Sequence, residues 1–168
     1  MSFIGATAMS AREGGCLCGA IRYRAQSAPL RVTICHCRQR ATGSAFLVEP
    51  IFAKSDFAVI SGQPKIYRQR SAGSGKMVDV HFCADCGTKL FLTFERFPDA
   101  VGVYGGTFDD PNWFERSAAK TRHIFVGAAQ RGTVIPAGIK YYEAHVTTND
   151  GEPIESRIFD APHVIAPE

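Results

Sequence analysis

Short runs of alternating apolar and polar residues, broken by glycine, proline and aspartate, dominate the chain. In residues 20–25, Ile21 and Tyr23 alternate with Arg22 and Arg24, the period-two signature of a half-buried strand. Residues 31–37 and 44–48 read as further strands, separated by a polar stretch through Thr42 and Gly43. Residues 57–60 lead into the turn cluster Ser61-Gly62-Gln63-Pro64 and then a strand over 65–70. In residues 77–83, Val78, Val80 and Phe82 share one face and Asp79, His81 and Cys83 the other. Leu90, Leu92 and Phe94 resume the period, which predicts a hairpin closed at the Cys83 end. Residues 101–104, 123–126 and 140–146 supply three more candidate strands. Helical periodicity is scarce: Asp110 as N-cap with Pro111 behind it predicts about two turns through Trp113 and Phe114. The pattern predicts an all-β domain with very little helix.

Composition narrows the functional classes. A chain of 168 residues suits one domain with its own core. Its net charge of +3, evenly spread, is too mild for a nucleic-acid or anionic-membrane surface. No apolar run approaches the roughly 20 residues of a membrane-spanning helix. The first residues lack a basic region ahead of an apolar stretch, so a cytoplasmic location is expected, with neither nucleic acid nor membrane as partner.

Six cysteines change the picture, because they fall in three close pairs: Cys16 and Cys18, Cys35 and Cys37, Cys83 and Cys86. Three disulfides are one possibility, but stapled domains are usually shorter and exported. Close pairs also suit a tetrahedral thiophilic ion, which takes two ligands from each of two turns. Gly14, Gly15 and Gly19 surround the first pair and Gly87 follows the third, and glycine lets a backbone wrap tightly round a metal. Cys16, Cys18, Cys83 and Cys86 are therefore read as one closed zinc site, tying the start of the chain to its middle.

The middle pair is different. In an extended segment Thr33, Cys35 and Cys37 face one way, and Val32, Ile34 and His36 the other. Two thiols on one face make either an incomplete metal site, the catalytic kind, or two small buried hydrophobes. His36, facing away, reads as structural, and His81 as a minor candidate ligand. Asp109 and Asp110 fit caps and turns better than acid–base work, and Phe108, Trp113 and Phe114 fit core better than a pocket wall.

The ordered motifs Gly14-Gly-Cys-Leu-Cys-Gly-Ala-Ile-Arg-Tyr23, Cys35-His-Cys-Arg38 with Thr42-Gly-Ser44, Phe82-Cys-Ala-Asp-Cys-Gly-Thr88 and Gly106-Thr-Phe-Asp-Asp-Pro111 resemble the glutathione-dependent formaldehyde-activating enzyme family, which includes centromere-protein-V-like domains. The resemblance implies curled antiparallel sheets and a structural zinc on Cys16, Cys18, Cys83 and Cys86. It places the zinc-binding domain at 12–130, with 131–168 as an extension packed on it or trailing from it. It also implies a second, catalytic zinc on three cysteines, two of which match Cys35 and Cys37. The third position is Arg40 here, and a guanidinium has no lone pair to offer a metal. One tight zinc is thus expected, with any second ion on Cys35 and Cys37 labile. The implied activity is that of a carbon–sulfur lyase on a small thiol adduct such as S-hydroxymethylglutathione. Cys35 and Cys37 would be catalytic, and Arg38 and Arg40 would bind a substrate carboxylate or lower a thiol pKa. The alternative is a zinc-stabilised binding module without that reaction.

Overall fold

The structure, a computed structural model, describes residues 11–37, 43–71 and 74–166. Strands carry the fold, and among these residues helix is limited to three short 3₁₀ turns at Lys54–Asp56, Gly105–Thr107 and Val126–Ala128. None is long and apolar enough to cross a membrane. The all-β expectation is met.

β1 (Arg12–Gly15), β2 (Arg22–Ala25) and β5 (Phe57–Ser61) form a small antiparallel sheet in that order. The main sheet has eight strands: β3 (Arg31–Cys35), β4 (Leu47–Ala53), β6 (Lys65–Arg70), β7 (Met77–Phe82), β8 (Lys89–Phe94), β9 (Ala100–Val103), β10 (Thr121–Ile124) and β12 (Lys140–Tyr141). Across the sheet they run β12-β10-β3-β4-β9-β8-β7-β6. Most pairs are antiparallel, but β10 lies parallel to both β3 and β12, so the sheet is mixed. β11 (Val134–Ile135) and β13 (His163–Val164) make a separate ribbon.

Side-chain alternation splits the main sheet into two environments. Val32, Ile34, Phe52, Phe91, Val101 and Val103 bury their side chains in the core with Tyr23, Ala25 and Phe57 of the small sheet. Phe108, Trp113 and Phe114 close that core, with Phe108 edge-on to Tyr23 at 5.3 Å. The opposite face, carrying Thr33, Cys35, Leu47, Glu49, Ile51, Leu92 and Phe94, lines a cavity.

Two expectations need correction. The strand foreseen at 44–48 is Leu47–Ala53, because pairing with β3 on one side and β9 on the other carries it through Pro50. No helix forms after Asp110; its carboxylate accepts the Asn112 N–H at 2.9 Å in a local turn, and the next two aromatics turn into the core. β1, β11 and β13 were not foreseen.

Candidate functional site

The turn after β1 and the turn between β7 and β8 bring four sulfurs together. The Sγ atoms of Cys16, Cys18, Cys83 and Cys86 all lie within 4.8 Å of one another. Cys16 and Cys18 are 3.5 Å apart, and Cys18 and Cys83 3.7 Å. Four sulfurs at about 2.3 Å from one tetrahedral ion would be about 3.8 Å apart, so the donor set fits a thiophilic metal such as zinc. Both turns end on a left-handed glycine, Gly19 at φ 78° and Gly87 at φ 73°. Their amides close the knuckles onto the Cys16 and Cys83 carbonyls at 3.0 and 2.9 Å.

Backbone donors offset the sulfur charge. The Ile21 amide donates to Cys16 at 3.2 Å, and the amides of Cys18 and Thr88 point at Cys86. The Thr88 hydroxyl lies 3.1 Å from Cys86, and with those amides it brings the Cys86 thiol down to about 6. The Leu17 amide donates to the same hydroxyl at 3.2 Å, lacing one knuckle to the other. Ile21, Cys18 and Thr88, none of them a glycine, fill this supporting role. Gly14 and Gly15 belong to β1 instead. His81 stands apart from the four sulfurs, its Nε2 3.0 Å from the Thr93 hydroxyl and its ring stacked on Phe91.

The cavity on the other face of the main sheet encloses about 360 Å³. Cys35 and Cys37 both line it, as the alternation of β3 requires. The Cys35 thiol donates to Cys37 at 2.9 Å. That contact and burial push the Cys35 pKa far up, so Cys35 holds its proton. Among the described residues, no third His, Cys, Asp or Glu joins this pair as a ligand group. The two sulfurs also sit closer than a tetrahedral ion would place them. A second zinc therefore does not fit the described donors. Arg38 and Arg40 lie outside the described residues.

Three further charged side chains reach the cavity from neighbouring strands: Arg31 on β3, Glu49 on β4 and Arg122 on β10. Glu49 is 6% exposed, and its Oε1 has no hydrogen-bond partner. Burial, aided by nearby Cys37 and opposed by Arg31 and Arg122, pushes its carboxyl up to about 8. Arg122 is drawn down to about 10 by burial and by Arg31, and stays cationic. Tyr104, Lys76, Arg96 and His145 add to the polar lining. Burial, with Arg96, Arg122 and Arg31 nearby, lowers His145 to about 4, leaving a neutral ring.

Sequence reasoning placed the two cysteine constellations but missed Glu49, Arg31 and Arg122. The signals were present. Glu49 is the lone charge in the apolar run 45–53, and Arg31 shares the face of Thr33 and Cys35 by the same period of two. His36 faces away, as expected, its Nε2 2.9 Å from Nδ1 of His123. Asp109 is held by Arg22 in a surface ion pair, not in a pocket.

Comparison with known proteins bears on these sites. A family model described as "Glutathione-dependent formaldehyde-activating enzyme" matches residues 11–128. A Halomonas elongata protein named "Putative glutathione-dependent formaldehyde-activating enzyme" is 26% identical over 137 residues, spanning 68% of this chain and 87% of that protein. A crystal structure of a Rhodobacter sphaeroides protein aligns at 21% identity and TM-score 0.47, over 58% of this chain and 87% of that one.

Proposed function

Because the chain belongs to the glutathione-dependent formaldehyde-activating enzyme family, we propose that it makes and breaks the carbon–sulfur bond of a thiol adduct such as S-hydroxymethylglutathione. One observation carries the reading: two thiols in hydrogen-bond contact line a cavity of about 360 Å³ whose other charged groups are mainly cationic. Such a cavity suits a small anionic thiol. The four-sulfur centre is read as a structural zinc that supplies folding free energy. The same reading places the chain in the reducing cytoplasm, where glutathione is abundant and thiols persist.

In the cleavage direction, Cys37 as thiolate takes the hydroxyl proton of the adduct. The C–O bond becomes a carbonyl, and the C–S electron pair leaves on the substrate sulfur. Cys37 then passes that proton to the departing sulfur and is again a thiolate, held by the Cys35 thiol through their hydrogen bond. One thiol and one aldehyde result, with no change of oxidation state. Burial restricts water in the pocket and strengthens each of these contacts.

The test is exchange NMR on glutathione and formaldehyde at equilibrium with the purified protein. Wild-type protein should accelerate interconversion with S-hydroxymethylglutathione well above the uncatalysed rate, and Cys37→Ser should remove at least about a hundredfold of it, the usual scale of acid–base assistance. Glutathione binding without acceleration would instead identify a non-catalytic binding module.

A further inference from the structure

The registers of β10, β3 and β4 place Arg122, Thr33 and Glu49 in one row across the sheet. Thr33 pairs with Arg122 on one side and with Glu49 on the other. Adjacent strands lie about 4.8 Å apart, so the two long charged side chains straddle the short Thr33 from backbones about 10 Å apart. Arg31 and Cys35 follow at two residues either way along β3, on the same face. The result is a recess floored by Thr33, walled by two guanidinium groups and a carboxyl, one pleat repeat from the thiol pair.

The groups round this recess do not satisfy one another. Nε of Arg31, Nε of Arg122 and Oε1 of Glu49 are buried without a hydrogen-bond partner. No ion pair to Glu49 occurs among the described residues, although both arginines are close enough to influence its ionisation. Buried polar atoms rarely stay unpartnered, and three round one cavity mark the place of a polar occupant. That occupant must accept hydrogen bonds from two cationic forks. Arg31, Arg96, Arg122 and Lys76 line the cavity against the single carboxyl of Glu49, so the occupant is an anion.

We infer that Arg31, Thr33, Glu49 and Arg122 form a carboxylate-binding subsite, which anchors a ligand whose sulfur reaches Cys35 and Cys37. A planar carboxylate matches the guanidinium fork, and a protonated Glu49 adds a third donor to it. The burial that raises Glu49 to about 8 keeps that proton in place near neutrality. The sulfur half of this inference rests on the proposed lyase reading; the carboxylate half does not.

Calorimetric and NMR titrations with 3-mercaptopropionate, 1-propanethiol and propionate test it. The charged thiol should bind at least about tenfold more tightly than the neutral one, the scale of one charge-assisted hydrogen bond. Propionate should shift the Nε–H resonances of Arg31 and Arg122. Arg31→Met and Arg122→Met should each weaken 3-mercaptopropionate about tenfold and leave 1-propanethiol within about twofold. If Arg122→Met does not fold, Arg122→Lys, which keeps the charge and loses the fork, should weaken the charged thiol alone by about threefold. Glu49→Gln, still a donor, should retain the affinity, and Glu49→Leu should not. Equal affinity for charged and neutral thiol, or Arg variants that bind as wild type, would overturn the subsite. Catalysis with unaffected Arg variants would sink this inference and leave the lyase reading standing. A normal propionate titration without catalysis would do the reverse.

Discussion

Gly102 shows how closely the structure accommodates Glu49. A Cβ at that position would lie 2.0 Å from the carboxyl oxygen, so a bare backbone on β9 leaves the space the carboxyl occupies. Such a placement works against folding at neutral pH. The folded carboxyl titrates near 8 and the unfolded one near 4.5, so between those values the unfolded chain releases a proton that the folded chain keeps. Stability therefore falls as pH rises from about 4.5 to about 8. Glu49→Gln should flatten that decline and stabilise the protein at pH 8 by about 1–3 kcal/mol, the scale of one relieved buried polar group. Thermal melts of both proteins across pH 5–9 measure it; an unchanged slope would show that Glu49 is solvated. A carboxyl kept where it weakens the fold points to use in the pocket.

At the level of elements, the knuckles and the main hairpin were legible because their signals are local. Spacing of cysteines with a following glycine specifies a turn, and period-two alternation specifies β7 and β8 almost to the residue. What stayed hidden depends on distant partners. The chain runs through Pro50 as a strand only because β3 and β9 pair on either side, and the parallel β3–β10 pairing joins segments 89 residues apart. That parallel seam is pinned by His36 and His123, stacked at 5.2 Å and sharing a hydrogen bond. Burial lowers both, His123 to about 4 with help from His36. Each is neutral above the unfolded histidine value of 6.5. As pH falls from there towards 4 the unfolded chain gains protons first, and stability is lost. His123→Gln should reduce the drop in melting temperature between pH 7 and pH 5, read by circular dichroism. The knuckles carry the larger share: Cys83→Ala, removing a fully buried ligand, should leave no soluble folded protein, and elemental analysis of wild type should give about one zinc per chain. A normal melt for Cys83→Ala would break the link between metal and fold.

Across the whole molecule, the family match ends at residue 128, yet the pocket does not. Ala144, His145, Thr147, Thr148, Asn149 and Ile154 form its outer wall. Two sets of contacts hold that wall against the sheet. The Phe125 amide donates to Ala144 at 2.8 Å from a left-handed backbone at φ 57°, a conformation that a side-chain-bearing residue adopts only where its surroundings enforce it. Arg96, lying over the Phe97 ring, donates to the Thr147 hydroxyl at 2.7 Å and to the Thr148 carbonyl. His145 stacks on Phe97 beneath them, neutral and therefore without repulsion from the three arginines nearby. The segment they hold is a small hairpin, with the Thr148 amide bonded to Glu152 at 2.8 Å and the Ile154 amide to Val146 at 2.9 Å. Since the only side-chain hydrogen bonds joining this hairpin to the sheet among the described residues come from Arg96, its loss should loosen the wall without melting the core. Arg96→Met should speed hydrogen exchange at Thr148 and Ile154 by about tenfold, the worth of one charge-assisted hydrogen bond, while exchange in β4 and β9 stays at the wild-type rate. Affinity for 3-mercaptopropionate should fall with it, because an open wall readmits water to the arginine–carboxylate contacts. Unchanged exchange at both amides would mean that the hairpin stands on its own, and the extension would then shape the pocket without being held by it.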